Sequence, residues 1–503
     1  MLLRTGRKSE HEEDGGGLPL PTQIVSNGEY VPPPQSPQQR AVERLVNEMA
    51  DERARKLGWS RRQFLRSACG TATALMAINL VHGCGSDGEG GFDVDDCATR
   101  DPDAARERLH ADYFIVDAQT HHVDLEGPGA TNPSLRSFFQ SFRFCAPPTV
   151  ADGSCHPGVL AELSRANYFK EVFLDSETAV AMMSGIPAPS RSFQALSNEA
   201  MAATRDLGNE LGASQRMLTQ GMLTPNFAPG NNAGTNIEDM EHLVRDLGIV
   251  ALKTYTGAGA GPSFNGLNIW GNNPAWWLDD EDVAYPMFAE AERLGIRIIN
   301  THKGFQLGIF DPEHIHPRDV PKAARDWPQL NFVIYHSAGE FLDDLVALKQ
   351  TQLAGANNVY SELGSIFAQR VLSSSFPDSV GHLLGKLINA FGSDHVIWGT
   401  DAIWWGSPQW QIDALKTFRM PQRLIEQHGY PEITDSIKAQ IFGGNAAALY
   451  QLDADAIRCT LPNDMVARAK SVYPQIAQPS LRTYGPKTRR EFLRQALGAN
   501  PLA

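Results

Sequence analysis

Phe114-Ile115-Val116-Asp117-Ala118-Gln119-Thr120-His121-His122 joins a short β-branched and aromatic run to a polar end, and seven more such runs follow it. They are Glu171–Leu174, Met217–Leu223, Ile249–Lys253, Ile296–Asn300, Phe332–Tyr335, Val359–Ser361 and Val396–Gly399. Apolar runs of this length, rich in Val, Ile, Phe and Tyr, read as strands. Helical periodicity marks Ser192–Leu211, Ile237–Leu247, Asp282–Leu294, Phe341–Leu353, Val380–Phe391 and Gln409–His428 between them. Each strand-to-strand step takes roughly 40 residues, enough for a parallel crossover unit, which needs about 30 or more. Eight such steps predict an α/β fold of the closed (β/α)8 TIM-barrel kind over residues 112–452. An open doubly wound sheet is the alternative, but no Gly-rich phosphate fingerprint follows the first run.

The rest of the 503 residues flank that unit. With 42% apolar and 20% charged residues the chain is globular in composition, and a net charge of −14 with no basic stripe excludes nucleic acid as an expected partner. Six cysteines in so long a chain make no disulfide scaffold, and no CxxC pair marks a zinc ribbon. Residues 1–59, with Gly15-Gly16-Gly17, Pro32-Pro33-Pro34 and many charges, read as a disordered polar extension in which Gln39–Lys56 could form a polar helix. Residues 453–503 read as a C-terminal extension that wraps the barrel or a partner subunit, so a homo-oligomer is compatible with it.

Residues 60–91 pair Ser60-Arg61-Arg62-Gln63-Phe64-Leu65-Arg66 with a weakly apolar stretch to Val81 and a Gly-rich linker from Gly85 to Gly91. The pairing resembles a twin-arginine signal, and the stretch is shorter than the about 20 residues that a membrane span needs. That resemblance implies the twin-arginine export machinery as a partner and an exported protein, either periplasmic or held at the membrane as a lipoprotein acylated at Cys84. In such a compartment Cys145 and Cys155 could pair, with two free thiols the equal alternative.

In a parallel barrel the chemistry gathers where the strands end. Here those ends carry Gln119 and His121, Lys253 and Tyr255, His302, His336, Glu362 and Asp401. Imidazole nitrogens with a carboxylate oxygen suit a divalent ion, zinc first and manganese second. Side chains alternate along a strand, so His121, Gln119 and Asp117 share one face and His122 points away.

This set resembles the amidohydrolase superfamily, in its amidohydrolase-related branch, which includes aminocarboxymuconate semialdehyde decarboxylase and other metal-dependent hydrolases and decarboxylases. By that resemblance His121, His302 and Asp401 are metal ligands, His336 is the histidine after the sixth strand, and Gly443–Tyr450 is the family's closing helix. The sequence departs at Gln119, where the family has a histidine or an acidic residue, so Gln119 enters as a weaker, neutral ligand. Lys253 stands where two-metal members carry a bridging lysine, which leaves a second metal or a substrate carboxylate as its partner.

The resemblance implies a metal-dependent hydrolase acting on a carbonyl-containing small molecule. Asp401 then takes the proton of an activated water, and His336 polarises the substrate or protonates the leaving group. A decarboxylase on the same scaffold is the enzyme alternative, with Lys253 and Arg143 gripping a carboxylate, and a non-catalytic binding barrel is the third reading. Tyr255, Trp404 and Trp405 are the candidate substrate contacts, and the tryptophans point to an aromatic substrate.

Overall fold

Eight strands pair in parallel and in chain order: β2 (Val116–Thr120), β3 (Val180–Met183), β4 (Met217–Met222), β5 (Ala251–Tyr255), β6 (Ile298–His302), β7 (Asn331–Tyr335), β8 (Val359–Glu362) and β9 (Val396–Ile397). The two ends of the sheet meet. Ala118 N donates to Trp398 O at 3.0 Å, Asp401 N donates to Gln119 O at 3.0 Å, and Thr120 bridges Ala402 in parallel. The protein is therefore a TIM barrel. This computed structural model describes residues 17–84, 88–125, 127, 163–186, 191, 194–227, 234–259, 273–305, 310–476, 483–490 and 492. Arg143, Cys145 and Cys155 lie outside the described residues.

Strand alternation builds the barrel interior from Val116, Ala118, Met182, Ala251, Val333 and Ile397, a buried apolar cluster. The closing helix Asn445–Leu449 packs on that cluster through Ala446, and Tyr450 just beyond it donates to Asn300 Oδ1 at 3.3 Å. Seven of the eight expected strands lie where the apolar runs place them, with ends shifted by a few residues. The second does not. Lys170–Leu174 is a π-helical turn that buries Val172 and Phe173, and the strand is Val180–Met183. Val-Ala-Met-Met carries one β-branched residue, so its strand character comes from pairing with β2 and β4 rather than from propensity.

The expected helix Gln409–His428 is two helices, Gln409–Thr417 and Gln422–His428. Between them β10 (Phe418–Arg419) pairs antiparallel with β1 (Gly91–Phe92), and Pro421 stands at the second helix start. A strand from the N-terminal region thus breaks what periodicity alone joins.

Residues 17–59, expected to be disordered, are folded onto the barrel together with residues 60–84. Helix α1 (Pro37–Leu57) opens with a Ser36/Gln39 capping box and Pro37 in its first turn, and closes on Gly58 at φ +68°. Its charges hide a stripe of Val42, Val46, Met49, Ala50 and Ala54, all buried. Helix α2 (Arg61–Leu65) buries Phe64 and Leu65, and α3 (Ala68–His82) buries Cys69, Ala72, Leu75, Ala77 and Ile78. The apolar residues of the expected export signal, though not its Arg61-Arg62 pair, are therefore part of the main core cluster, in which barrel-covering residues such as Leu384, Leu415 and Phe418 also lie. Gln39 Nε2 donates to Leu372 O at 2.7 Å and so ties α1 to the barrel's outer layer. Among the described residues no helix is long and apolar enough to cross a membrane.

Before α1, the chain crosses the end of the barrel where the strands finish. Ser26 N donates to Pro486 O at 2.9 Å, and Tyr484 N donates to Trp404 O at 2.8 Å. A Cβ on Gly485 would stand 1.8 Å from Ser26 O, so only glycine allows this approach of the two terminal segments.

Candidate metal centre at the barrel mouth

Three imidazoles converge from three strand ends, and each is held by one ring nitrogen on a backbone carbonyl. His121 Nδ1 lies 2.8 Å from Ser184 O, His302 Nε2 lies 3.0 Å from Gly304 O, and His336 Nδ1 lies 2.8 Å from Gly364 O. A carbonyl only accepts, so each of these nitrogens carries the hydrogen and the opposite nitrogen presents its lone pair. Those opposite nitrogens all face carboxylates. His121 Nε2 is 3.2 Å from Asp401 Oδ1, His302 Nδ1 is 3.5 Å from Glu29 Oε1, and His336 Nε2 is 3.4 Å from Glu29 Oε2.

Gln119 sits at the centre of the group. Its Nε2 is 3.4 Å from His121 Nε2, 3.5 Å from His336 Nε2 and 3.2 Å from Asp401 Oδ1. Its Oε1 is buried without a hydrogen-bond partner, as is His302 Nδ1. The expected alternation holds for Gln119 and His121, which both reach Asp401, but not for Asp117, because the register of β2 shifts between Asp117 and Thr120. His122 turns away to bond Thr204 Oγ1 at 2.8 Å, and Asp117 accepts from Thr400 N at 3.0 Å.

Asp401 Oδ2 accepts from Ser365 Oγ and, at 2.7 Å, from Asn27 Nδ2. Asn27 Nδ2 also donates to Glu29 Oε2 at 2.7 Å. His336, Ser365 and Asp401 all have positive φ, between +54° and +58°. Left-handed backbone at non-glycine residues costs on the order of 1–3 kcal/mol each, and its clustering at this mouth marks a functional constraint.

Glu362, at the end of β8, accepts from His336 N at 3.0 Å and Gly364 N at 2.6 Å. Burial pushes its carboxyl up to about 8, and burial followed by the Asp401 charge raises Glu29 in the same direction. The facing ammonium is Lys253, driven down to about 7 by burial against the opposing pull of Glu29, Glu362 and Asp401. Its Nζ has no hydrogen-bond partner and stands 3.3 Å from the Tyr335 ring centroid. Burial also lowers His336 to about 4 and holds His302 well below the usual imidazole range. The mouth thus holds more buried carboxylate than cation.

A protein-family model described as amidohydrolase matches residues 188–452, just over half of the chain. The chain belongs to the amidohydrolase family. No curated protein sequence matches it. Among solved structures, it is similar to an uncharacterized TIM-barrel protein from Bordetella bronchiseptica at 17% identity and TM-score 0.43, over 68% of this chain and 99% of that one. It is also similar to a manganese-bound 5-carboxyvanillate decarboxylase from Novosphingobium aromaticivorans at 11% identity and TM-score 0.43, over 68% and 98% of the two chains. A 4-oxalomesaconate hydratase from Rhodopseudomonas palustris matches at 17% identity and TM-score 0.37, over 69% and 98%. Likenesses this distant assign no chemistry to this member of the amidohydrolase family.

The ligand set expected of an amidohydrolase from sequence, His121, His302, Asp401 and Gln119, is brought together here with His336. Tyr255 stacks on His302 at 4.7 Å between ring centroids, and Trp404 lies 6.3 Å from His121. Trp405 is buried and donates from Nε1 to Ser365 Oγ at 2.9 Å, so it supports Asp401 from behind. Asn27 and Glu29 are the residues that sequence reasoning missed. Among the described residues, Glu29, His302 and His336 form the group whose ligand atoms all lie within 4.8 Å of one another. An Asn-Gly-Glu triplet in a polar stretch reads as a turn, and nothing local to it signals a ligand.

Proposed function

We propose that the protein is a metal-dependent hydrolase of a carbonyl-containing small molecule, with one divalent ion, zinc or manganese, held at the barrel mouth. The observation that carries this reading is the set of three anchored imidazoles. Lone pairs facing carboxylate oxygens at 3.2–3.5 Å repel unless a positive charge lies between them. The orphaned His302 Nδ1 fits the same ion, since it is a buried donor atom without a partner, and Gln119 would offer its Oε1 with the amide turned over. His121, His302, His336, Asp401 and Gln119 are the residues available to hold it. Such an ion supplies Lewis acidity and a water whose pKa falls from about 15.7 towards 7.

The chain's own groups then handle protons and orientation. Asp401 Oδ1, beside His121, receives the proton of the attacking water, while Asn27 and Ser365 fix Oδ2 so that the carboxylate cannot rotate away. His336 carries its hydrogen on Nδ1 and presents an unprotonated Nε2, so it would serve as a ligand rather than as a proton donor. Tyr255 is buried and stacked against both His302 and Phe310, so it braces His302, while Trp404 beside His121 is the ring placed to wall the site for a flat substrate.

A decarboxylase is the second reading, and Lys253 favours it. A buried ammonium without a hydrogen-bond partner is a ready counter-ion for a substrate carboxylate. Turnover of aryl esters, lactones, amides and aryl carboxylates by the metal-loaded protein in 18O-labelled water separates the two. Label in the product supports the hydrolase, and carbon dioxide release without label overturns it. No turnover with either metal, together with ligand affinity unchanged by His302→Ala, would leave a binding barrel. Twin-arginine export stays a proposal that rests on Ser60–Val81 alone.

A further inference from the structure

We propose that Glu29 is a ligand of the mouth metal, supplied by the N-terminal segment, so that residues 17–84 are part of the working site. This rests on the metal-site reading above and goes beyond it in assigning a ligand from outside the barrel. The two oxygens of Glu29 divide between two rings, Oε1 at 3.5 Å from His302 Nδ1 and Oε2 at 3.4 Å from His336 Nε2. Donor atoms held by one tetrahedral ion at about 2.0–2.2 Å lie roughly 3.4 Å from one another. A carboxylate placed at that spacing from two lone pairs is the geometry of a ligand shell rather than of a hydrogen bond.

Gln119 shows why a carboxylate is needed there. Its amide approaches the same His336 Nε2, at 3.5 Å, but contributes no charge. The negative ligand that β2 lacks therefore arrives from residue 29, on the same nitrogen.

The arrangement is built rather than incidental. Asn27 Oδ1 accepts from Glu29 N at 2.8 Å, and Asn27 Nδ2 clamps Glu29 to Asp401. Gly28 between them has φ +96°, which favours glycine. On the far side, the Tyr30 ring packs on Phe305 at 5.0 Å between centroids. The buried faces of α1, α2 and α3 then hold the whole segment on the barrel. A leader removed after Cys84 would take Asn27 and Glu29 with it.

Calorimetric titration of the chelator-treated full chain with Mn2+ or Zn2+ tests this. Glu29→Gln keeps the shape and is expected to bind at least tenfold more weakly, with an altered visible spectrum when Co2+ is substituted. Gln119→Glu on the Glu29→Gln background is expected to restore affinity to near the wild-type value, because the charge returns to the same His336 nitrogen. Circular dichroism melts of the metal-free proteins show whether each variant folds, and Glu29→Asp provides a second, charge-retaining variant with a smaller loss. Unchanged affinity and an unchanged Co2+ spectrum in Glu29→Gln would overturn the proposal. So would faster turnover on losing Glu29, which would make it a plug. His302→Ala separates the two levels: if the wild type binds no metal, or His302→Ala binds as the wild type does, the metal centre itself fails. If His302→Ala loses the ion and Glu29→Gln keeps it, only the Glu29 assignment fails.

Discussion

Asn27 Nδ2 lies 2.7 Å from Asp401 Oδ2, across 374 residues of chain. One amide nitrogen there serves two buried carboxylates, since Glu29 Oε2 is also 2.7 Å away. Hydrogen bonds to charged groups contribute about 1.5–3 kcal/mol each, and losing the shared donor leaves two buried carboxyl groups without it. Asn27→Ala is therefore expected to lower the stability of the metal-free protein by about 2–4 kcal/mol in urea unfolding. A midpoint equal to the wild type would show that the clamp contributes nothing.

Phe64 is fully buried in the cluster that includes the barrel's outer layer. Truncating a buried Phe to Ala costs about 3–5 kcal/mol where the cavity cannot collapse. Phe64→Ala should lower the single unfolding transition of the whole protein by that amount. If residues 17–84 were a detachable leader, the barrel's transition would stay where it is. Sequencing the N-terminus of any exported material reads the same question directly: cleavage near Cys84 predicts a product without Glu29.

Gly399 separates β9 from Asp401, and a Cβ placed on it would stand 1.7 Å from Glu362 Oε1. Glu362 holds the backbone N–H of both His336 and Gly364, so it cannot yield without moving the site. Gly399→Ala should cost on the order of 1–3 kcal/mol through overpacking and should weaken metal binding in calorimetry. Weakened affinity with the stability intact would place the effect in His336 alignment alone.

Lys438 is buried, donates to Lys416 O at 2.6 Å and has its ammonium lowered to about 8 by burial. Because its folded value lies below the ordinary lysine value of 10.5, the unfolded chain binds the proton more tightly between those limits. Its contribution to stability is therefore complete above about 10.5 and is lost as pH falls through about 8. Urea unfolding from pH 7 to 10 should show wild-type stability rising relative to Lys438→Met by up to about 3 kcal/mol. Parallel curves for the two proteins would refute the shift.

Much of this site lies open in the sequence because a barrel strand writes its site next to its own apolar run. Gln119, His121, His302, His336 and Asp401 could each be located by counting outward from a β-branched segment, and period-two alternation separated His121 from His122. β3 escaped because Val-Ala-Met-Met is held as a strand by its neighbours, while the more strand-like Val172-Phe173 turns into helix. The helix expected over Gln409–His428 failed for a related reason, since β1 arrives from over 300 residues earlier to pair inside it.

The sequence by itself determined the (β/α)8 barrel, its strand order and most of the polar residues at its mouth, because each depends on a local period or a local juxtaposition. Only the tertiary structure decided the place of residues 17–84. A charged stretch with a sparse apolar stripe and a small apolar helix gain stability only when another surface covers them, and no local pattern shows that the barrel's outer layer does so. That burial carries Asn27 and Glu29 across the mouth, where their meaning comes from His302, His336 and Asp401, hundreds of residues away.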